Sequence, residues 1–135
     1  MHTTKLGVRF GETDMAGHVN NAVYLVYLED ARLNFLSEVL HLSEFPLILA
    51  SAKLDFLRQV RFPNTIPIET GISRPGRSSF DMVHRLYCEA EQELALTSHV
   101  TLVVFDYDTQ KPTPIPENWR QILKAHWTDI PEVRS

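Results

Sequence analysis

The pattern of hydrophobic and polar residues predicts one strand, then a long helix, then a series of strands. In Lys5 to Phe10 apolar and polar side chains alternate, with the period of two that a half-buried strand requires. After a polar loop, an apolar segment predicts a helix that runs to about Leu40, and Asn20 or Asn21 can cap its first amides with a side-chain oxygen. Its apolar positions are too many for one narrow stripe, so we expect the helix to be enclosed on several sides.

The rest of the chain predicts a sheet that provides this enclosure. Four segments have strand-like alternation and are separated by proline, glycine and asparagine turn signals. In the last of them Ser98 interrupts an otherwise apolar face. A short terminal helix follows, with Pro116 near its start and Trp119, Ile122 and Leu123 facing inward. This order predicts an α+β fold, with one helix packed on an antiparallel sheet. The four predicted strands are Leu49 to Phe56, Ile66 to Ser73, Ser78 to Glu89 and Leu94 to Phe105.

Composition restricts the class of protein without identifying it. A chain of 135 residues, 44% of them hydrophobic, predicts a single domain over residues 1–135 with a substantial core. The formal net charge of −4 argues against nucleic acid as the main partner. Cys88 is the single cysteine, which fits a reducing compartment. We find no segment that resembles a signal peptide or a membrane span, so we expect a cytoplasmic protein.

The segment from Thr13 to Arg32, TDMAGHVNNAVYLVYLEDAR, contains the residues most suited to catalysis. It places the carboxylate of Asp14 and the imidazole of His18 in one loop, directly before the predicted helix. Backbone N–H groups at the start of a helix favour negative charge, including the charge that develops on an oxygen during acyl transfer. We therefore expect a hydrolytic site here, with the amides from Gly17 to Asn20 stabilising the oxyanion.

The segment DMAGHVNNAVY, Asp14 to Tyr24, together with LEDAR ending at Arg32, resembles the hotdog-fold acyl thioesterases. It is most similar to the acyl-CoA thioesterases grouped with 4-hydroxybenzoyl-CoA thioesterase. The resemblance implies a hotdog fold, in which a curved antiparallel sheet wraps a long central helix. It also implies a homodimer, often a dimer of dimers, with each active site at a subunit interface. Further similarity is found in FLRQVRFP (residues 56–63), RPGRSSF (74–80) and DYDTQKPTPIP (106–116).

The resemblance assigns the catalytic role to Asp14, either as general base for water or as nucleophile on the thioester carbonyl. Both roles require an ionised carboxylate near the carbonyl carbon, and the sequence does not choose between them. A turn-capping Asp14 is the structural alternative. His18 either orients substrate or water and moves a proton, or only fixes the loop. The similar motif of plant acyl-carrier-protein thioesterases has asparagine where this chain has Ala16, so their catalytic scheme does not transfer directly.

The same resemblance suggests where the substrate binds. The turn from Arg74 to Ser79 has two arginines, a glycine and two hydroxyls that suit the phosphates and pantetheine arm of CoA, although a solvated hairpin is the alternative. Arg58 is a weaker candidate for the nucleotide phosphates. Glu29 and Arg32 are spaced for a salt bridge, which we expect at the subunit interface. The expected substrate-binding residues are Gly17, Asn20, Tyr24, Arg61, Gly76, Arg77, Ser78 and Ser79.

Motifs of other enzyme classes are absent from the sequence. The six histidines are dispersed, there is no G-x-S-x-G elbow and no glycine-rich nucleotide motif, so we expect no metal and no cofactor. Cys88 lies within a predicted strand and is interpreted as a core residue. The sequence thus predicts hydrolysis of acyl-CoA thioesters, with the acidic pI favouring CoA over an acidic carrier protein. A hotdog hydratase or dehydratase and a non-catalytic acyl-CoA-binding module are the alternatives.

Overall fold

The computed structural model describes residues 2–128 and confirms the predicted order of one strand, a long helix and a run of strands. The first strand was predicted too late in the chain. It ends at Gly7, and Phe10 instead begins a short 3-10 turn in which Thr13 donates hydrogen bonds to the Phe10 carbonyl. The elements are β1 (His2–Gly7), the 3-10 turn (Phe10–Glu12), α1 (Val23–Val39), β2 (Leu47–Phe56), β3 (Thr65–Ser73), β4 (Ser79–Cys88), β5 (Glu93–Asp106), β6 (Lys111–Pro112) and α2 (Glu117–Lys124).

The strands form one antiparallel sheet in the order β1-β3-β4-β5-β2, and β6 extends it beside the end of β5. β6 was not predicted, because Pro112 has no N–H group to donate and its segment is rich in proline. β1 and β2 are the edges. The β2 edge consists of ten residues, most of them exposed, with no proline to interrupt it. A strand of this kind leaves a row of backbone groups available for pairing with another chain.

The helix α1 packs on one face of the sheet. The predicted asparagine cap is wrong: Asn20 Oδ1 accepts the Ala22 N–H at 3.0 Å, but Ala22 is itself the N-cap residue, and no side chain caps the first amides of the helix. Leu25 and Val26 remain about half exposed, at 48% and 53%. The expectation that the helix is enclosed on several sides is therefore wrong for a single chain, since one sheet covers only one side. The buried helix residues are Tyr24, Tyr27, Leu28, Ala31, Phe35 and Leu36.

The terminal helix α2 agrees with its prediction. Pro116 directly precedes it, in an extended conformation that leads into the first turn. Trp119 and Leu123 are buried, and Ile122 is partly buried against the same apolar cluster. The helix thus closes the end of the sheet that lies beside the turn between β3 and β4, where the side chain of Arg120 hydrogen-bonds the carbonyl oxygens of Gly76 and Arg77.

A row of polar side chains divides the core into two apolar clusters. His2, Thr70, His84 and Ser98 occupy directly opposed positions on β1, β3, β4 and β5. One cluster lies toward the start of α1 and contains Tyr24, Leu28 and Leu86, and the other lies toward its end. Because the row crosses four neighbouring strands, it separates the two ends of the molecule.

The two sequence segments with candidate site residues lie at opposite ends of this sheet. The loop of residues 13–21 is attached near the start of β3, where the Val19 N–H donates to the Val60 carbonyl and His18 forms a β-bridge with Arg61. The turn of residues 74–78 follows the other end of β3. A strand of nine residues spans about 30 Å at ~3.4 Å per residue.

Candidate active site

The loop before α1 is organised around the Asp14 carboxylate. Its Oδ1 accepts the N–H of Ala16 at 2.8 Å and the N–H of His18 at 3.1 Å. The Asp14 N–H donates to the His18 carbonyl at 2.7 Å, which closes a small ring of backbone. Gly17 has φ +82, a left-handed conformation that glycine adopts without a steric penalty. The sequence therefore forms this tight turn because an acceptor side chain and a glycine stand at the two positions where it needs them.

Only one oxygen of Asp14 is used in this way. Asp14 is exposed, and its Oδ2 has no hydrogen-bond partner among residues 2–128. Two amide donors hold Oδ1, so the carboxyl group is fixed in orientation while Oδ2 points to solvent. One oxygen therefore caps the turn, as the structural alternative expected, and the other is left unpartnered within the described residues.

The backbone amides from Gly17 to Asn20, expected to bind an oxyanion, all donate within the chain. Their acceptors, in order, are Asp14 O, Asp14 Oδ1, Val60 O and Glu12 O, at 2.8 to 3.1 Å. None of the four is free in this arrangement, so Gly17 and Asn20 act here through the shape of the loop. The next amide, of Asn21, has no acceptor in the described part of the chain. The sequence could not reveal that residues 17–20 have bonded amides and Asn21 does not, because two of the acceptors come from other segments.

His18 is half-buried beside Asp14, but its ring does not hydrogen-bond the Asp14 carboxylate. The Nε2 atom is buried and has no partner in the described range. The backbone of His18 is held on both sides, by Asp14 and by the bridge to Arg61. The imidazole is therefore positioned in the loop without forming an Asp–His pair within one chain.

Two tyrosines of α1 attach the helix to the surrounding loops. The Tyr24 hydroxyl accepts the Val60 N–H at 3.2 Å, and burial raises the pKa of Tyr24. The Tyr27 hydroxyl donates to Glu12 at 2.8 Å, and burial followed by this hydrogen bond raises the pKa of Tyr27. Both therefore stay protonated at neutral pH. Sequence reasoning missed Glu12 and Tyr27, whose partnership is visible only in three dimensions.

A hollow of about 240 Å³ opens beside the start of the helix. Asn21, Tyr24 and Phe56 form part of its wall, and the Tyr24 and Phe56 rings meet edge to face at 5.4 Å. Arg58 also lines it and pairs with Glu93 at 2.9 Å. Asn21 and the half-exposed Phe56 therefore line a space next to the Asp14 loop. Arg61 lines a second hollow on the other side of the same segment.

The turn of residues 74–79 is largely committed to its own structure. Arg74 forms a bidentate pair with Asp81, with Nε–Oδ2 2.9 Å and Nη2–Oδ1 3.1 Å. A Cβ on Gly76 would lie 3.1 Å from the Ser79 carbonyl oxygen, so the glycine permits contact with Ser79 across the hairpin. Arg77 is exposed, and its guanidinium has no partner within the described residues.

Asp81 is the buried centre of a second polar cluster, on the face of the sheet opposite α1. It is 2% exposed and also accepts hydrogen bonds from His99 Nε2 at 2.7 Å and Thr101 Oγ1 at 2.9 Å. Burial acts to raise the pKa of Asp81, but the hydrogen bonds from Arg74, His99 and Thr101 outweigh it and lower the pKa. The carboxylate is saturated with donors, which makes it a structural anion.

Cys88 and the metal-ligating residue types form no further site within residues 2–128. Cys88 is buried, and burial raises the pKa of its thiol to about 11, so it carries no thiolate at neutral pH. Across residues 2–128 no cluster of three or more histidine, cysteine, aspartate or glutamate side chains could hold a metal ion. In the same range, neither helix is long and apolar enough to cross a bilayer.

Comparison with known proteins identifies the family. Residues 8–123 match the family described as the thioesterase-like superfamily. The uncharacterized protein YsmA of Bacillus subtilis (strain 168) is 34% identical over 122 residues, which cover 88% of this chain and 82% of that protein.

Solved structures resemble the whole chain. A predicted thioesterase from Bacillus stearothermophilus has a TM-score of 0.88 at 25% identity and covers 96% of this chain and 98% of its own. A thioesterase from Thermus thermophilus, solved as a complex with coenzyme A and Zn, has a TM-score of 0.82 at 31% identity, with 91% and 92% covered. The chain therefore belongs to the thioesterase-like superfamily and is a thioester hydrolase with the hotdog fold.

Proposed function

We propose that this protein hydrolyses acyl-CoA thioesters to the free acid and CoA, with Asp14 as the catalytic carboxylate. The observation that carries the proposal is the state of Asp14, whose Oδ1 is fixed by two amides while Oδ2 is free and exposed. A carboxylate held in this way loses little further freedom when it meets the reacting atoms. His18, with an unpartnered ring nitrogen four residues away, is proposed to orient water or substrate.

Two reaction courses are compatible with this geometry. With Asp14 as general base, Oδ2 takes a proton from water while the water oxygen bonds to the thioester carbonyl carbon. The tetrahedral oxyanion then collapses, the C–S bond breaks, and the CoA thiolate leaves and takes up a proton. With Asp14 as nucleophile, Oδ2 itself bonds to the carbonyl carbon, the thiolate leaves, and water cleaves the resulting anhydride. The free Asn21 amide is the candidate oxyanion donor in either course.

We further propose that each site is formed by two chains. The Asp14 loop and the turn of residues 74–79 lie at opposite ends of one sheet, yet both have residues suited to a CoA thioester. Antiparallel pairing of the two exposed β2 edges around a two-fold axis would bring opposite ends of the two sheets to the same side. It would also cover apolar surface, since Leu25, Leu49 and Phe56 are 48%, 43% and 48% exposed. A homodimer, alone or as half of a tetramer, is therefore the proposed assembly.

In such a dimer the turn of one chain would contact the CoA whose thioester lies at Asp14 of the other. Arg77 has an unpartnered guanidinium for a phosphate, and Ser78 and Ser79 have hydroxyls beside it. The similar protein from Thermus thermophilus was solved with coenzyme A, which supports CoA as the carrier. The net charge of −4 also offers no general attraction for an acidic carrier protein. The buried free thiol of Cys88 supports a reducing location, which we propose is the cytoplasm.

A free-thiol assay on a panel of acyl-CoAs tests the proposal. We expect wild-type protein to release CoA and Asp14→Asn to release it far more slowly at unchanged thermal stability. Asp108→Asn, a change of an exposed aspartate in the β5–β6 turn, is the matched control and should behave as wild type. Tight binding of acyl-CoA without release would indicate a binding module. A change in acyl unsaturation without release would indicate a hydratase.

A further inference from the structure

The polar row that divides the core contains groups whose hydrogen bonds are incomplete. Thr70, His84 and Ser98 lie side by side on the helix-facing side of β3, β4 and β5, and they are 0%, 1% and 6% exposed. His84 Nε2 and Ser98 Oγ have no hydrogen-bond partner in the part of the chain that the structure describes. Directly opposed residues of neighbouring strands have Cβ atoms about 5 Å apart, so these two side chains are immediate neighbours. Buried polar groups are nearly always paired, and two adjacent exceptions call for an explanation.

The hydrogen bond to Thr70 determines which proton His84 carries. Thr70 Oγ1 and His84 Nδ1 are 3.1 Å apart, and the Thr70 hydroxyl has no other acceptor among the described residues. The hydroxyl therefore donates to Nδ1, which places the ring proton on Nε2. Burial, and then the charge of Arg32, lower the pKa of His84 to about 3, so the ring is neutral and keeps this tautomer. Nε2–H is thus a buried donor without an acceptor.

The guanidinium of Arg32 brings a positive charge near His84. Its side chain is only 12% exposed, and its single ion pair within residues 2–128 is a long one, with Nη2 3.9 Å from Glu29 Oε2. Burial lowers the pKa of Arg32, but a guanidinium remains charged in a protein. A mostly buried cation with so weak a pairing is costly unless an anion completes it. The hydroxyl of Ser98 can donate as well, so three different side chains offer donors to one region.

The position of Arg32 on the helix places it on the flank of α1 that faces β2. On the opposite flank of α1, Asn34 hydrogen-bonds Thr4 of β1, and Glu38 contacts His2 of the same strand. Arg32 therefore lies on the flank toward β5 and β2, the flank that also includes Leu25, seven residues earlier. Arg32 follows Leu25 by about 10 Å along the helix axis, at ~1.5 Å per residue.

β2 lies opposite this flank of α1, beside β5. Leu54 is the β2 residue directly opposite Ser98, and it is half-buried. On the same face of β2, Phe56 lies on the side of Leu54 toward the Asp14 loop, and Leu49, opposite Leu102, lies beyond the row; both are about half exposed. An acyl chain lying between α1 and β2 would therefore pass apolar side chains first and reach the three donors farther from the Asp14 loop.

We propose that Arg32, His84 and Ser98 bind the terminal carboxylate of the acyl group, so that the preferred substrates are CoA thioesters of dicarboxylic acids. This rests on the proposed function and specifies its substrate class. A carboxylate has acceptors only, which matches a set of groups that can all donate, and the guanidinium would neutralise its charge. A methyl terminus would leave the donors unpaired and the arginine uncompensated.

The test compares substrates that differ only at the end of the acyl chain. Release of CoA is measured for glutaryl-, adipyl- and suberyl-CoA against pentanoyl-, hexanoyl- and octanoyl-CoA, with wild type, Arg32→Met and Ser98→Ala. Arg85→Met is the matched control, because Arg85 follows His84 on the same strand and lies on the opposite face of the sheet. Thermal unfolding and the oligomeric state of each variant are measured in parallel, so that loss of the fold is recognised.

We expect wild type to favour the carboxylated member of at least one pair by about tenfold or more in kcat/KM, since hydrogen bonds to a charged group are strong. Arg32→Met should lower kcat/KM for the carboxylated substrates by about 10- to 100-fold and leave the methyl-ended substrates within about threefold. Ser98→Ala should act in the same sense more weakly, and Arg85→Met should change neither.

Two results would overturn the inference. One is CoA release by wild type without a preference within any pair, and the other is an equal loss for both substrate types in Arg32→Met, which would make the row purely structural. Failure of the proposed function gives a different result, because no acyl-CoA of either type would then be cleaved.

Discussion

The loop of residues 13–21 and the turn of residues 74–79 are built from similar residue types but leave different groups available. Both are short polar segments with a glycine. In the loop, Asp14 uses one carboxylate oxygen to fix the turn and keeps the other free. In the turn, Arg74 uses its guanidinium on Asp81, and Gly76 packs against Ser79. A residue of catalytic type therefore indicates function only where its bonding groups are not already satisfied by the fold.

The largest expected effect comes from the free oxygen of Asp14. Asp14→Asn keeps an Oδ1 that can accept the amides of Ala16 and His18, so the turn should persist, while the anion needed for chemistry is lost. We expect kcat to fall by about 10²–10⁴-fold with the thermal midpoint unchanged. Free-thiol release and thermal unfolding measure the two quantities. A large loss of stability would show that Asp14 acts mainly on the loop.

At Asp81, beside the turn of residues 74–79, we expect a loss of stability and little change in kcat. Asp81→Asn removes the charge that Arg74 and His99 share, so we expect the free energy of unfolding to fall by about 1.5–3 kcal/mol. The kcat of the folded protein should stay within about threefold of wild type, because Asp81 is buried behind the turn. Denaturant unfolding and steady-state kinetics test this, with Asp108→Asn as control. If kcat falls as it does in Asp14→Asn, the contrast between the two segments is wrong.

His84 of the polar row and Asp81 beside the turn should affect stability in different pH ranges. The pKa of His84 falls from 6.5 to about 3 on folding, so the unfolded chain takes up the proton first as pH falls. Stability should therefore be complete above pH 6.5 and decrease by about 1.4 kcal/mol per pH unit below it, until pH approaches 3. The pKa of Asp81 is lowered from 3.8, so its contribution is lost only below that pH. Denaturant unfolding at pH 7 and pH 5 should show a loss that His84→Gln largely removes, while His126, whose pKa burial also lowers, leaves a residual part. The same slope in that variant would contradict this assignment.

The smallest expected effect is a change in KM on substitution of Arg77, which contrasts with the structural role of Arg74 in the same turn. Arg77 has no side-chain partner in the described range, whereas Arg74 is bound to Asp81. We expect Arg77→Gln to raise KM for acyl-CoA by about three- to tenfold, more at low salt than at high salt, without lowering the thermal midpoint. Arg74→Gln should lower the midpoint instead. If the two variants exchange these effects, Arg77 is structural and the turn does not bind CoA as proposed.

Much of the fold follows from local sequence patterns, but the state of each polar group does not. Hydrophobic patterning predicted α1 and β3, because these depend on neighbouring residues, whereas the predicted asparagine cap of α1 did not form. The occupied amides of residues 17–20 depend on Val60 and Glu12, which reach the loop only in the folded chain. Ser98 stood out in the sequence as the one polar residue on an apolar strand face. Its alignment with His84 required the strand register, which the sequence does not specify.

The most direct test of the account uses mixed dimers of Asp14→Asn with a turn variant in which Arg77, Ser78 and Ser79 are changed together to Glu, Ala and Ala. If each site joins the Asp14 loop of one chain to the turn of its partner, a mixed dimer has one site with both segments intact. After equal mixing and subunit exchange, half of the dimers are mixed, so at acyl-CoA concentrations far below KM, where the turn variant alone is slow, about a quarter of wild-type CoA release should return. Activity of the mixture equal to the mean of the two separate variants would contradict a site shared between chains.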